Sequence, residues 1–146
     1  GHEELNNVYK KTGQPVILGG SMETGSYLLA GTQKAMDETF GSTAHGSGRV
    51  MSRSQAKREF RGDELQKQME KRGIYVKTVS MSGLAEEAGS AYKDIDNVVD
   101  VLHNFGITKK VVGLKPIANI KGAANVSLIN PLILWLLLIS LFVFLV

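Results

Sequence analysis

His45 stands in Thr43-Ala44-His45-Gly46-Ser47-Gly48-Arg49, a run of small residues around one imidazole. Glycines beside it remove side-chain bulk and let another group approach the backbone closely, as phosphate-binding loops do. Gly19-Gly20-Ser21-Met22, at the end of a short apolar run, has the same character. With their backbone N–H groups free, and Ser21, Ser26, Ser42, Thr43 and Ser47 nearby, these two loops would form a phosphate cradle. Neither carries the G-x-x-x-x-G-K-[ST] of a P-loop, and neither is G-x-G-x-x-G. A histidine nucleophile needs an unprotonated ring nitrogen, a partner orienting the other nitrogen, and positive charge to neutralise the attacked phosphate. Arg49 and Arg53 are close enough in sequence to supply that charge, while the sequence names no orienting partner. A plainer reading fits the composition too: the glycines form turns and His45 is a polar loop residue.

The remaining chemistry-bearing residues narrow the field. The 146-residue chain has no cysteine, which excludes disulfides and thiolate metal sites within it. His2, His45 and His103 are far apart, with no H-x-x-x-H pair, so no self-contained metal site is expected. The net charge of +3 is mild, but Arg49, Arg53, Lys57, Arg58 and Arg61 crowd into residues 49–61. Such a stretch is usually a solvated helix face, and Glu59 and Asp63 beside Arg61 weaken a nucleic-acid reading at that end. Glu86 and Glu87, read as extended chain, point to opposite faces and are given no acid–base role. His103, in the last turn of a helix, suits the helix dipole and is given no chemistry.

The elements that must position these residues follow from periodicity and punctuation. Residues 4–10 suggest a short helix; Pro15–Leu18 and Tyr27–Ala30 read as short strands. Thr32 caps a helical stretch reaching Thr39, and helical propensity returns from Ser52 to Glu59. Asp63 is the expected N-cap of a helix to Arg72, with Leu65 and Met69 spaced i,i+4 and Gly73 closing it. Ile74, Val76 and Thr78 alternate as a strand. A helix over Asp94–Phe105 presents Ile95, Val98, Val99, Leu102 and Phe105, and Gly106 stops it. Strands are expected at Val111–Leu114 and Ile117–Ile120, split by Pro116. The expected class is α+β, or mixed α/β: a mixed sheet with helices.

The end of the chain differs in kind. From Pro131 to Val146 only Ser140 is not apolar, and no charge follows Lys121. Residues 128–146 approach the length of a membrane span, and the lysines at 109, 110, 115 and 121 fit an anchor that leaves the preceding segment cytoplasmic. A buried core element and read-through sequence without an evolved role are the alternatives. The chain opens on polar residues without a leader pattern or an initiator Met, as a fragment or processed piece would.

Four segments, G-Q-P-V-I-L-G-G-S-M (13–22), E-T-F-G-S-T-A-H-G-S-G-R-V-M-S-R (38–53), A-E-E-A-G-S-A-Y-K-D-I-D (85–96) and L-K-P-I-A-N-I-K-G (114–122), resemble the RtcB family in order and spacing. RtcB enzymes are GTP- and manganese-dependent ligases that join RNA 3′-phosphate or 2′,3′-cyclic phosphate ends to 5′-hydroxyl ends, in tRNA splicing and RNA repair. The resemblance implies that residues 1–122 are the C-terminal part of an RtcB-type domain, with residues 123–146 an appended tail. It implies that His45 becomes covalently guanylated by GTP, and that Gly19, Gly20, Ser21, Met22, Ser26, Gly46, Ser47, Gly48, Tyr92 and Lys121 hold the nucleotide. Arg49 and Arg53 would contact RNA phosphate. Glu23 departs from the family's G-S-M-G-T, placing a carboxylate beside a phosphate site and a side chain where glycine's freedom is expected. The family's Mn²⁺ ligands precede this stretch, so the N-terminal half of a ligase is the implied partner. A membrane-tethered nucleotide- or RNA-binding remnant without catalysis is the rival reading.

Overall fold

The computed structural model describes residues 6–122. His2 and the apolar tail lie outside the described residues, and with them the anchor expectation; among the described residues no helix is long and apolar enough to cross a membrane. In chain order the elements are α1 (Asn7–Thr12), β1 (Pro15–Gly19), β2 (Ser26–Gly31), α2 (Gln33–Thr39), α3 (Arg53–Glu59), α4 (Gly62–Lys71), β3 (Tyr75–Thr78), α5 (Met81–Glu86), a 3₁₀ turn at Gly89–Ala91, α6 (Ile95–Asn104), β4 (Thr108–Leu114) and β5 (Ala118–Lys121). The class is α+β, as the sequence suggests.

Two small sheets organise these elements. One is antiparallel, in the order β1-β2-β4; the other pairs β3 with β5 in parallel. Alternation in β1 sends Val16 and Leu18 inward and leaves Ile17 on the opposite face. Leu18 and Leu29 then pack against Ile95 and Val99, the i,i+4 pair on α6. A second core joins Met22, Leu65, Met69, Ile74, Val76, Leu84 and Ala88. Met22 carries the first glycine loop into this second core, so that loop is anchored by apolar burial as well as by its strand.

Local signals set most boundaries. Asp94 caps α6 by accepting hydrogen bonds from the amides of Asp96 (2.8 Å) and Asn97 (3.3 Å). Thr32 and Ser52 cap α2 and α3 through the amides of Ala35 and Gln55. Gly73 and Gly106 follow α4 and α6 with φ of +80° and +75°, where a side chain would strain the backbone. Asp63 is not the cap expected of it: α4 begins one residue earlier, at Gly62, and Asp63 lies in its first turn, bonded to the Arg61 guanidinium. Gly62 holds that position because a Cβ there would collide with the Met81 carbonyl of α5.

Candidate functional site

The loop 42–49 bearing His45 is fastened to the end of β1. Gly19 donates its amide to the His45 carbonyl (3.2 Å), and Ser47 donates to the Gly19 carbonyl (2.8 Å), a single parallel bridge beside β1. Farther along, Lys93 donates to the Gly48 carbonyl (2.9 Å) and Val50 to the Ala91 carbonyl (2.9 Å), tying the loop to the segment that carries Tyr92. Gly48 has φ of +78°, a conformation that glycine adopts at little cost. His45 itself is exposed.

The two glycine loops are not equivalent as anion cradles. In the first, the amides expected to be free are spent on the loop. Gly20 donates to the Gly25 carbonyl (2.9 Å), Ser21 to Thr24 Oγ1 (3.0 Å), and Glu23 and Thr24 both to Ser21 Oγ (3.2 Å each). The cause is a tight turn closed by Ser21 and Thr24, side chains that compete well for nearby amides. In the second loop the amides of Gly46 and Gly48 carry no hydrogen bond among the described residues. Ser47, 4% exposed, has a buried hydroxyl with no partner there either. The open donors therefore lie beside His45.

Glu23 behaves differently from its expectation. It has no positive φ, and its carboxylate accepts from Arg72 (2.6 Å) and from the Gly89 amide (2.7 Å). The charge is thus paired with Arg72, and Gly89 lacks a side chain where one would strike the Glu23 carboxylate. Met22 lends its carbonyl to the Asn119 amide (2.8 Å), linking the same turn to β5.

Sequence reasoning passed over the residue around which the cations gather. Glu86 ends α5 and Glu87 is its C-cap, so the extended reading of this pair is corrected: helical geometry presents both toward α3 and the His45 loop. Glu87 accepts from the Tyr92 hydroxyl (2.6 Å) and lies 3.7 Å from Arg49, 3.8 Å from Arg53 and 3.6 Å from Lys121. Burial pushes its carboxyl upward, but the Tyr92 hydrogen bond and the charges of Lys121, Arg49 and Arg53 outweigh that and hold it below the usual carboxylate range. Burial and then Glu87 push the Tyr92 phenol up. A short helix containing Gly83 gives little periodic signal, which is why this hub was not legible.

Arg49 and Arg53 differ sharply. Arg49 is largely buried, donates to the Met51 carbonyl (3.0 Å), the Tyr92 hydroxyl (2.8 Å) and the Glu86 carbonyl (2.5 Å), and stacks on the Tyr92 ring. Its work within the fold is to hold the His45 loop onto the Glu86–Tyr92 segment. Arg53 and Lys121 are more open, and among the described residues they make only long ion pairs. Ser26, at the start of β2, is part-buried and pairs with Gly19 and Leu114.

A family model described as tRNA-splicing ligase RtcB matches residues 1–122. The chain belongs to the RtcB family. The tRNA-splicing ligase RtcB of Archaeoglobus fulgidus is 54% identical over 122 residues, covering 84% of this chain and 25% of that protein. The Pyrococcus abyssi and Nanoarchaeum equitans relatives are 53% and 52% identical over the same length, covering 13% and 26% of those proteins. The chain therefore spans about a quarter or less of the RtcB relatives it matches. Among the described residues no group of three or more His, Cys, Asp or Glu side chains could hold a metal ion.

Glu87→Gln is expected to lower stability by about 1 kcal/mol, since Gln keeps the Tyr92 contact but not the charge that gathers the largely buried Arg49 and the more open Arg53 and Lys121. Glu87 has a depressed pKa in the folded chain, so its contribution is complete above the ordinary glutamate value of about 4.3 and is lost as pH falls below it. Urea titrations at pH 7 and pH 3 check this: the wild type should lose its advantage over the variant at the lower pH.

Proposed function

We propose that this chain is the guanylate-accepting part of an RNA ligase. A ring nitrogen of His45 attacks the α-phosphorus of GTP and pyrophosphate leaves. An RNA 3′-phosphate oxygen then attacks the same phosphorus, freeing His45 and leaving the RNA end capped by GMP. A 5′-hydroxyl attacks the RNA phosphorus, GMP departs, and a phosphodiester joins the strands; 2′,3′-cyclic ends enter after opening to the 3′-phosphate. The observation that carries this reading is an exposed His45 flanked by the open amides of Gly46 and Gly48. The Arg53 and Lys121 cations near Glu87 add support for a polyanionic substrate.

In this reading Gly19, Gly20, Ser21, Met22 and Ser26 serve as the wall of the nucleotide site, shaped by their internal bonds. Lys121 and Tyr92 border it, and Arg53 meets RNA phosphate, with a salt-dependent contribution. Arg49 contributes chiefly by fixing the loop. Manganese, which would polarise the phosphate and neutralise leaving pyrophosphate, belongs in this reading to the remainder of an RtcB-type ligase. The lack of a metal donor set among the described residues also favours the rival reading of a binding remnant, whose tail is its tether only if residues 128–146 enter a membrane.

The test is covalent labelling with GTP radiolabelled at the α-phosphate, in manganese, with and without the metal-bearing remainder of a related ligase. Label on the 15.9 kDa chain that appears only with the remainder is the expected result. No label with the remainder bound and metal-loaded would leave the remnant reading standing instead.

A further inference from the structure

Away from the residues around Glu87, a cavity of about 200 Å³ opens between α1, the start of β1 and α2. Main-chain fit sets its walls. Gly13, with φ of +94°, lies so close to β2 that a Cβ on it would overlap the Gly31 carbonyl. The Gly31 amide donates to the Gln14 carbonyl (2.8 Å). These contacts hold α1 against the end of β2, where Thr32 at once caps α2.

The lining combines an apolar floor with cations. Val16, Ala35, Met36 and Ile107 supply the floor, while Lys10 and Lys11 of α1 and Lys109 of β4 bring positive charge. Among the described residues no carboxylate lines the cavity. Sites that enclose a whole cofactor run to roughly 300–1,000 Å³, so this one suits a single ring system whose anionic groups stay at the mouth.

Phe40 stands at that mouth as the C-cap of α2. Its φ of +53° and ψ of +35° are left-handed, an uncommon conformation for a bulky residue, and it is 94% exposed. An aromatic ring held in water on a strained backbone marks a contact surface. Gly41, Ser42 and Thr43 run from Phe40 along the cavity toward His45. Thr43 is at most about 7 Å of backbone from His45, so an RNA end at His45 brings its neighbouring nucleotides to the cavity.

We propose that this cavity is a subsite for one nucleotide of the RNA strand, its base on Phe40 and the apolar floor, its phosphates at Lys10, Lys11 and Lys109. This rests on the reading of His45 as the residue that serves an RNA end. Recognition here is sequence-tolerant, because stacking and phosphate attraction read no base edge. An acidic peptide would satisfy the lysines but leave Phe40 without a flat partner.

The experiment titrates the full chain into a short fluorescein-labelled single-stranded RNA ending in a 3′-phosphate and reads anisotropy across a salt series. Lys10→Gln with Lys11→Gln should weaken binding at least about fivefold and flatten the salt slope by about 1.4, at roughly 0.7 per phosphate contact. Phe40→Gly should weaken binding about tenfold, the loss of one stacked base. Its urea midpoint should hold or rise, since glycine relieves the left-handed strain; a purely structural Phe40 would lose stability instead. Lys67→Gln removes the same charge from the exposed side of α4 and should change nothing. Equal losses for Lys67→Gln and the double variant, or no binding at all, would overturn the proposal. So would displacement of the RNA by adenosine monophosphate or inorganic phosphate at the concentration at which unlabelled RNA displaces it. An acidic peptide that competes for the lysines while Phe40→Gly is silent would also overturn it. RNA bound through the cavity by a chain that takes no GMP label, even with the remainder of a ligase, would sink the ligase reading and keep the subsite. Label with RNA binding indifferent to these variants would do the reverse.

Discussion

Gly25→Ala is expected to destabilise the chain by about 3–5 kcal/mol, the sum of a strained backbone and a backbone collision. Gly25 has φ of +100°, and a Cβ there would overlap the Leu114 carbonyl at the end of β4. Its carbonyl also accepts the Gly20 amide, closing the turn that carries Ser21 and Met22. Neither contact has a flexible side chain that can swing aside, so relief requires β2 and β4 to separate where Ser26 pairs with Leu114. Urea unfolding followed by circular dichroism measures the loss. Gly19→Ala is the control: the nearest atom to its added carbon is the His45 carbonyl oxygen at 4.0 Å, and its φ is not positive. It should cost less than about 1 kcal/mol. Similar losses for both variants would show that the turn relaxes freely and does not fix the first loop.

His45→Ala should reduce covalent GMP labelling by at least about a thousandfold, as loss of an attacking group does in other covalent enzymes. Stability should move by less than about 0.5 kcal/mol, because the imidazole is exposed and the loop is fixed by main-chain bonds from Gly19, Ser47 and Lys93. Labelling and urea midpoint together separate a lost nucleophile from a lost fold. Undiminished label on the alanine variant would move the nucleophile elsewhere and end the role proposed for His45. Arg49→Ala offers the opposite profile. It should destabilise, since Arg49 bonds to Met51, Glu86 and Tyr92, and any loss of label would accompany the loss of fold.

The helices over residues 33–39, 53–59, 62–71 and 95–104 were legible because their signals are local. The cap at Thr32, the Leu65–Met69 spacing, the apolar face of Ile95, Val98, Val99 and Leu102, and glycines at 73 and 106 act within a turn or two of backbone. The small-residue loop around His45 was legible for the same reason. α5 was not: six residues with a glycine inside carry too little period, and packing of Leu84 and Ala85 holds the helix in place. Strand β4 begins at Thr108, before the apolar run, because β2 supplies partners for Lys109 and Lys110 whatever their side chains.

The sequence by itself determined which backbone segments turn, cap and alternate, and that one histidine stands in a loop of small residues. Those properties depend on neighbours a few residues away. Only the tertiary structure decided that Glu87, Tyr92, Arg49, Arg53 and Lys121 meet at one point, that Glu23 is neutralised by Arg72, and that the first loop spends its amides while the second keeps them. These depend on contacts between residues distant in sequence, such as Arg49–Glu87, Lys121–Glu87 and Arg72–Glu23, brought together by the pairing of β3 with β5 and the bridge from Gly19 to Gly46. Long-range pairing has no signature in a local pattern, since its free energy comes from burial that exists only once the chain has closed.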